Sequence, residues 1–596
     1  MKIKSISFLI SFFFVFFFIV ILWSVFSDKI INATPSNTNQ AQTARKQVNN
    51  QFLQVPDPTV SLGFDWSLPE KTGVEHKAGF IGEYGGDPAY IRHHFIMARW
   101  DKLNPSKNQF DFSSLDQALE DVKGKKVLIR LEVNSACEAP QWALKKLRKT
   151  KNNSLVYWDE NYPVLLAPFI QAFAKRYAHQ SQIIGVHLGI GDGEYNGACQ
   201  PFSNKDGWGE FWMTPEELAE AETVFGLTPR LFEKRSKQII DIYAKSFAGH
   251  EGKLAFTNAE PYFSWTNRAE PYNKIMYQLA DYVHAKGLGN RDGQIENWMR
   301  YVDKAFGMKF ESVKNNNDKT CRLSMDENFA KEIKYRYWGT ENEFYGNEDY
   351  VLETEGPYKN QPYRFFVSSL RALQMRRNFI TLYGEGMKNL DDSVYKTQDF
   401  LHYLNKTLGK QMENTPDVFV LLGERYIQKE RVKEHKAIAC FGKDKVAVRS
   451  FGRWLKESSV SRPAMKINMP EHEKRWGQGF YLPDGINYEY AARASKRFEF
   501  DLNDELARLR CHRRQNNKGC STNLKVTYKD TVKTELLVRI EEGQTKRINT
   551  QGDGKIKTVT FPLKSIFRNK QQGVDFIVEG TQKAIPIILI RMNFLD

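Results

Sequence analysis

The sequence predicts an α/β chain in which a (β/α)8 barrel, a TIM barrel, is followed by an all-β sandwich behind one N-terminal transmembrane helix. Three observations predict it. From about residue 60 to 414, apolar runs alternate with amphipathic segments, the pattern of a parallel sheet wrapped by helices. From about 415 to the end, short β-rich runs separated by turn residues take over, as in sandwiches. At the amino terminus, residues 5–27 are uncharged and strongly apolar, and no second run of that length follows.

The apolar run sets the compartment. At roughly 1.5 Å per helical residue, about 20 residues cross the hydrocarbon core. Lys2 and Lys4 precede the run and hold its short end in the cytoplasm. A cleaved signal peptide is the competitor, but its apolar core runs about 7–15 residues. The expectation is a signal-anchor over 1–30, with the rest of the chain in the periplasm or at the cell surface. Residues 31–58, rich in Asn, Gln, Thr and Ala, read as a flexible linker. The partners expected are a lipid bilayer, through residues 5–27, and a saccharide; nucleic acid is not expected there. Outside the cytoplasm the six cysteines become candidates for disulfides. Cys511 and Cys520 bracket a short loop between strand-like runs and predict a clip. Cys137 and Cys199 each follow a predicted strand and meet if those strands are neighbours. Cys321 and Cys440 have no assigned pairing.

The barrel is assigned to 59–414. Its predicted strands are 94–100, 126–131, 183–188, 253–257, 335–338 and 379–382, with helices over 163–179, 231–247 and 364–377. An open doubly wound sheet is the structural alternative, but it carries a Gly-rich phosphate loop after its first strand, and none is present. The sandwich, 415–596, is predicted from runs at 418–422, 498–500, 524–528, 535–538, 557–561 and 585–590. It carries 35 Lys+Arg against 22 Asp+Glu, so +13 of the chain's +15 lies there. That excess either faces an anionic glycan or lipid headgroup or merely solvates the domain.

In a barrel, the carboxyl ends of the strands share one mouth, so ionisable groups there are the candidates. One predicted strand runs into Asp192 and Glu194, another into Glu341, Asn342, Glu343 and Tyr345, a third into Asn258, Glu260 and Tyr262. Carboxylates at several strand ends among aromatic and amide side chains suit hydrolysis of a glycosidic bond. That reaction needs one carboxylic acid to protonate the leaving oxygen and a second carboxylate across the sugar. Taken singly, each is more simply a solvated loop residue, and Glu341 or Glu343 has Arg336 and Arg371 as alternative ion partners. Arg99 and Trp100 end the second predicted strand; Trp100 either stacks on a sugar or is core. Arg291 follows a predicted strand end at 285–288 and is assigned to substrate. His187 reads as a buried structural histidine. No CxxC pair or His cluster suggests a metal, and no cofactor is expected.

Ala98-Arg99-Trp100-Asp101-Lys102-Leu103-Asn104-Pro105 with Gln109-Phe110-Asp111-Phe112-Ser113-Ser114-Leu115-Asp116, then Ala139-Pro140-Gln141-Trp142, Gly189 to Glu194, and Thr415 to Val420 follow one another along the chain. Together they resemble the clan A glycoside hydrolases, beta-galactosidase-like barrels with a carboxy-terminal β-sandwich. The resemblance implies a retaining double displacement, with the acid/base after strand four and the nucleophile after strand seven. On matching positions these are Glu194 and Glu341, with Glu343 the alternative nucleophile. Where the family carries Asn before the acid/base, this chain has Gly193, and Asn258 or Asn342 would supply that donor. The rivals are a non-catalytic glycan-binding or surface-polysaccharide assembly protein on the same scaffold and, further off, a polysaccharide lyase.

Overall fold

The computed structural model describes residues 56–75, 77–83, 90–151, 153–188, 215–257, 270–292, 306–312, 320–342, 361–383, 393–428, 445–458, 465–467, 489–490, 492–513, 519–540, 543–565, 567 and 573–595. The predicted anchor and nearly all of the linker lie outside these residues. Among the described residues no helix is long and apolar enough to cross a membrane.

Within the compact unit Asp57–Asp596, eight parallel strands close into a barrel. They are β1 (Gly79–Glu83), β2 (Ile91–Arg99), β3 (Lys126–Glu132), β4 (Ile183–His187), β5 (Leu254–Thr257), β6 (Gly289–Asp292), β7 (Trp338–Asn342) and β8 (Phe379–Tyr383). Each pairs with its sequence neighbour, and β8 returns to β1. β3 and β4 are largely buried, so both read as mainly apolar, with β3 interrupted by Arg130. Outward residues such as Val127, Ile129 and Leu131 pack with Asn161–Tyr177 and Pro229–Ser246. The second of these helices starts as its sequence dictates: Thr228 accepts from Leu231 N–H, and Pro229 takes the first turn.

The barrel axis is filled by Ile81, Leu128, Ile184, Ala255, Tyr337 and Phe379. Tyr337 stacks on Phe379 at 4.9 Å. Gly185 and Gly339 make room for the tyrosine: a Cβ at either would come 2.6 Å from it, closer than packing permits.

Two expectations shift. The predicted strand 335–338 begins only at Trp338, because Tyr335 is 86% exposed in a turn. The predicted strand at 285–288 is not formed: Ala285 ends the helix Glu270–Ala285, Gly287 turns at φ +81°, and β6 starts at Gly289.

Among the described residues the β region forms two sheets. The larger contains the path Thr59–Leu62, Ile556–Ser565, Cys520–Lys529, Ile585–Phe594, Asp417–Gln428, Lys445–Arg453, Thr320–Met325 and Met308–Ser312. The smaller runs Leu455–Glu457, Arg497–Leu502, Phe576–Gly580, Glu535–Ile540 and Thr545–Asn549. Strand 417–428 shows why the large sheet is a middle layer. Val418, Val420 and Leu422 enter the core shared with Phe498, Val538 and Phe576 of the small sheet. Phe419 and Leu421 enter the core shared with Phe366, Leu370 and Phe400 on the barrel's helices. Period-2 alternation thus feeds two cores from one strand.

The basic excess is partly internal. Arg453, Arg493, Arg510, Lys525, Lys557 and Arg591 are buried. Arg591 bonds Asp417 and lies over Tyr403, and Arg453 donates to two backbone carbonyls. On the small sheet, Arg497, Arg539, Arg547 and Lys456 pair with Glu499, Glu579, Glu535 and Asp501. These cations serve the fold. The predicted Cys511–Cys520 clip is present. Cys137 and Cys321 are also disulfide-bonded; Cys199 and Cys440 lie outside the described residues.

Candidate active site

Strand alternation sorts the candidates. On β7 the odd residues face the axis: Tyr337 packs there and Gly339 abuts it, so Glu341 also points inward, near the carboxyl end. It is fully buried, and its Oε2 accepts from Arg291 Nη2 at 2.9 Å. Arg291, on neighbouring β6, is 5% exposed at its side chain. The guanidinium favours the ionised carboxylate by direct charge and hydrogen bonding. Arg291 is therefore placed on the candidate nucleophile rather than only at the substrate. Neither alternative partner is paired with Glu341: Arg336 bonds His284, and Arg371 bonds Gln374 and lies over Phe451.

A second ion pair stands on β3. Arg130 Nε and Glu132 Oε1 on β3 are 2.7 Å apart and largely buried. His187, at the end of β4, lies edge-on to Phe95 and Tyr337. Burial, with Arg291 and Arg130 close by, drives its pKa well below the usual value, so the imidazole is neutral at physiological pH. Sequence reasoning misses Glu132 and Arg130. The strand-end rule finds Glu132 once β3 is extended one residue past Leu131.

Three assignments are corrected or refined. Trp100 does not end a strand; it opens the short helix Trp100–Leu103 and is fully buried among Trp142, Tyr162 and Phe169. Both ring faces are used by the core, so it is no sugar platform. Asn342 faces outward, away from the axis, and bonds Ser368 and Ser369; its amide is not available to a sugar in the mouth. Arg99 ends β2 with its side chain 44% exposed, forked onto Asp101 at 3.0 and 2.9 Å and bonded to Cys137 O. Asp192, Glu194, Asn258, Glu260, Tyr262, Glu343 and Tyr345 lie outside the described residues. Among the described residues no group of three His, Cys, Asp or Glu side chains is placed to hold a metal.

No protein-family model matches the chain, and no curated protein does. Solved structures show slight likenesses. A beta-galactosidase from the psychrophilic Marinomonas ef1 is 10% identical over 53% of this chain and 55% of its own, with a TM-score of 0.27. A cold-adapted beta-galactosidase from Rahnella sp. R3 is 12% identical over 59% and 58%, with a TM-score of 0.27. Endo-glycoceramidase II from Rhodococcus sp. is 10% identical over 82% and 90%, with a TM-score of 0.25. The chain thus spans a little over half the length of the two galactosidases. Likenesses this slight carry no weight beside the strand order of the chain itself. On that order the protein is a closed (β/α)8 barrel with an appended pair of β-sheets, holding an ion-paired glutamate inside the end of its seventh strand.

Proposed function

We propose that the chain is a membrane-anchored, extracytoplasmic glycoside hydrolase that cleaves a polysaccharide or oligosaccharide by a retaining, two-carboxylate mechanism. The observation that carries this reading is Glu341, inward-facing near the carboxyl end of β7 and held by Arg291. The end of strand seven is where the clan A resemblance puts the nucleophile. Glu194, which follows β4, is the proposed acid/base.

In the first step Glu194 gives its proton to the glycosidic oxygen while the Glu341 carboxylate attacks the anomeric carbon. The C–O bond to the leaving group breaks and a glycosyl ester forms. In the second step the Glu194 carboxylate takes a proton from water, whose oxygen attacks the same carbon and frees Glu341. Arg291 keeps Glu341 ionised before attack and receives the charge back when the ester is hydrolysed. The two carboxyl groups must stand about 5–5.5 Å apart for this outcome.

The second reading, a glycan-binding or surface-assembly protein without turnover, draws on the complete burial of Glu341 in an ion pair, which also suits a scaffold. A panel of activated 2-fluoro-glycosides separates the two. A hydrolase leaves a glycosyl adduct on the peptide containing Glu341, and Glu341→Gln abolishes both adduct and turnover, by about a thousandfold or more, while the protein stays folded. Binding of glycans with no reducing ends released and no adduct would establish the binding protein instead. The anchor is tested separately: deleting residues 1–30 should move the protein from the membrane fraction to the soluble one.

A further inference from the structure

The seventh strand is fastened to its surroundings at two points. At its start, Trp338 N–H donates to Asn378 Oδ1 at 2.9 Å, Asn378 N–H donates to Trp338 O at 2.9 Å, and the Trp338 indole donates to Met375 O at 3.1 Å. At its end, Asn342 Nδ2 donates to Ser368 Oγ at 2.9 Å and Ser369 Oγ at 3.2 Å. Both serines lie on the helix Gln361–Gln374, and Ser368 Oγ passes its own hydrogen to Phe365 O. Asn342, Ser368 and Ser369 are all fully buried, in a layer otherwise built from Phe365, Phe366, Leu370, Ile380 and Leu382.

Three buried polar side chains in an apolar layer are costly unless they bond one another. An aliphatic residue at each position would fill the same space without that cost. What the bonded set adds is direction. Successive residues of a strand point to opposite faces, so pinning Asn342 outward fixes Glu341 inward. Thr340, the other outward polar residue of this strand end, makes only a 3.4 Å contact with the neighbouring Glu341 O.

We propose that Asn342 is a positioning residue: with Ser368 and Ser369 it latches the end of β7 to the helix behind it and holds the Glu341 carboxylate on the Arg291 guanidinium. The proposal deepens the reading of Glu341 as nucleophile and rests on it for its kinetic consequence. Asn342→Ala should lower kcat per folded molecule by about 10- to 100-fold, as an ångström-scale displacement of a reacting group does, while KM stays within about threefold. Ser368→Ala/Ser369→Ala, which removes the acceptors instead, should do the same, and the triple variant should be no worse than either, because one latch is lost in all three.

A merely structural role predicts the opposite: less folded protein, but unchanged kcat once competent sites are counted with the 2-fluoro-glycoside. That result overturns the proposal. If Asn342→Ala does not fold, the single Ser368→Ala and Ser369→Ala variants carry the same kcat test. If the wild type shows no turnover at all, the hydrolase reading fails and the latch is read without it. The coupling between Arg291→Met and Glu341→Gln in denaturation should then shrink in the presence of Asn342→Ala, and coupling of undiminished size refutes the latch.

Discussion

Replacing Arg291 by methionine keeps most of its volume and removes its charge. Both ends of the pair are buried, 5% and 0% exposed at the side chain, so Glu341 loses a cation in a place water reaches poorly. Breaking one side of a buried pair costs about 3–5 kcal/mol. The carboxyl group limits that cost by taking up a proton, which makes the loss depend on pH. With the cation gone, burial is expected to keep Glu341 protonated in the folded variant and not in the unfolded one, so the unfolded state binds fewer protons. Stability then falls as pH rises above the ordinary glutamate value, by up to about 1.4 kcal/mol per pH unit. Between pH 5 and 7 the variant should lose roughly 2–3 kcal/mol relative to wild type. Denaturant midpoints at the two pH values measure this directly, with unchanged slopes confirming that the same transition is compared. On the hydrolase reading, turnover at neutral pH should also fall by about 100-fold or more, with partial recovery at higher pH as the nucleophile ionises. A variant within about 1 kcal/mol of wild type at both pH values would refute the argument: Glu341 would not then depend on Arg291 for its charge.

Three further outcomes follow. Burial raises the Asp65 carboxyl, but the Lys525 ammonium 3.0 Å away and bonds from Lys525 and Ser67 outweigh it and bring the group from 3.8 to about 2. Its contribution, at most about 2 kcal/mol after screening, is therefore present above pH 4 and lost as pH falls toward 2; Lys525→Met should flatten that acid limb in a pH series of melts. Cys511→Ser/Cys520→Ser opens a clip between residues 9 apart in sequence and should cost about 2–3 kcal/mol, read as a lower denaturant midpoint without reductant; an unchanged midpoint would show that the clip does not stabilise the fold. Trp100→Ala should cost about 3–5 kcal/mol of stability and leave KM unchanged in the folded protein; a raised KM with intact stability would return Trp100 to a sugar subsite.

The barrel was legible where its strands are buried on both faces. Val127, Leu128, Ile129 and Leu131 form an apolar run that needs no partner to be recognised, and the same holds for 183–187. Gly79–Glu83 was not legible, because two of its five residues are glycine and its role is to close the ring. Glu341 could be found as a carboxylate at a strand end, but its partner could not: Arg291 lies 50 residues away, and only the closure of β6 on β7 brings them together. Trp100 illustrates the reverse error. Its neighbours in sequence suggest a strand end at the mouth, whereas the chain turns into a helix there and folds the ring inward. The net charge of the β region is legible only as a total, since composition does not distinguish an arginine on the surface from one stacked on Tyr403 inside.

The large sheet lies between two hydrophobic cores, and this constrains what can be removed. A gene truncated near residue 415 would not yield a smaller, self-sufficient barrel. It would leave Trp66, Phe366 and Phe400 without the strands that cover them, an invitation to aggregate. Mutational drift in the last third of the chain should therefore be limited by the folding of the first two thirds, even at positions far from the barrel mouth.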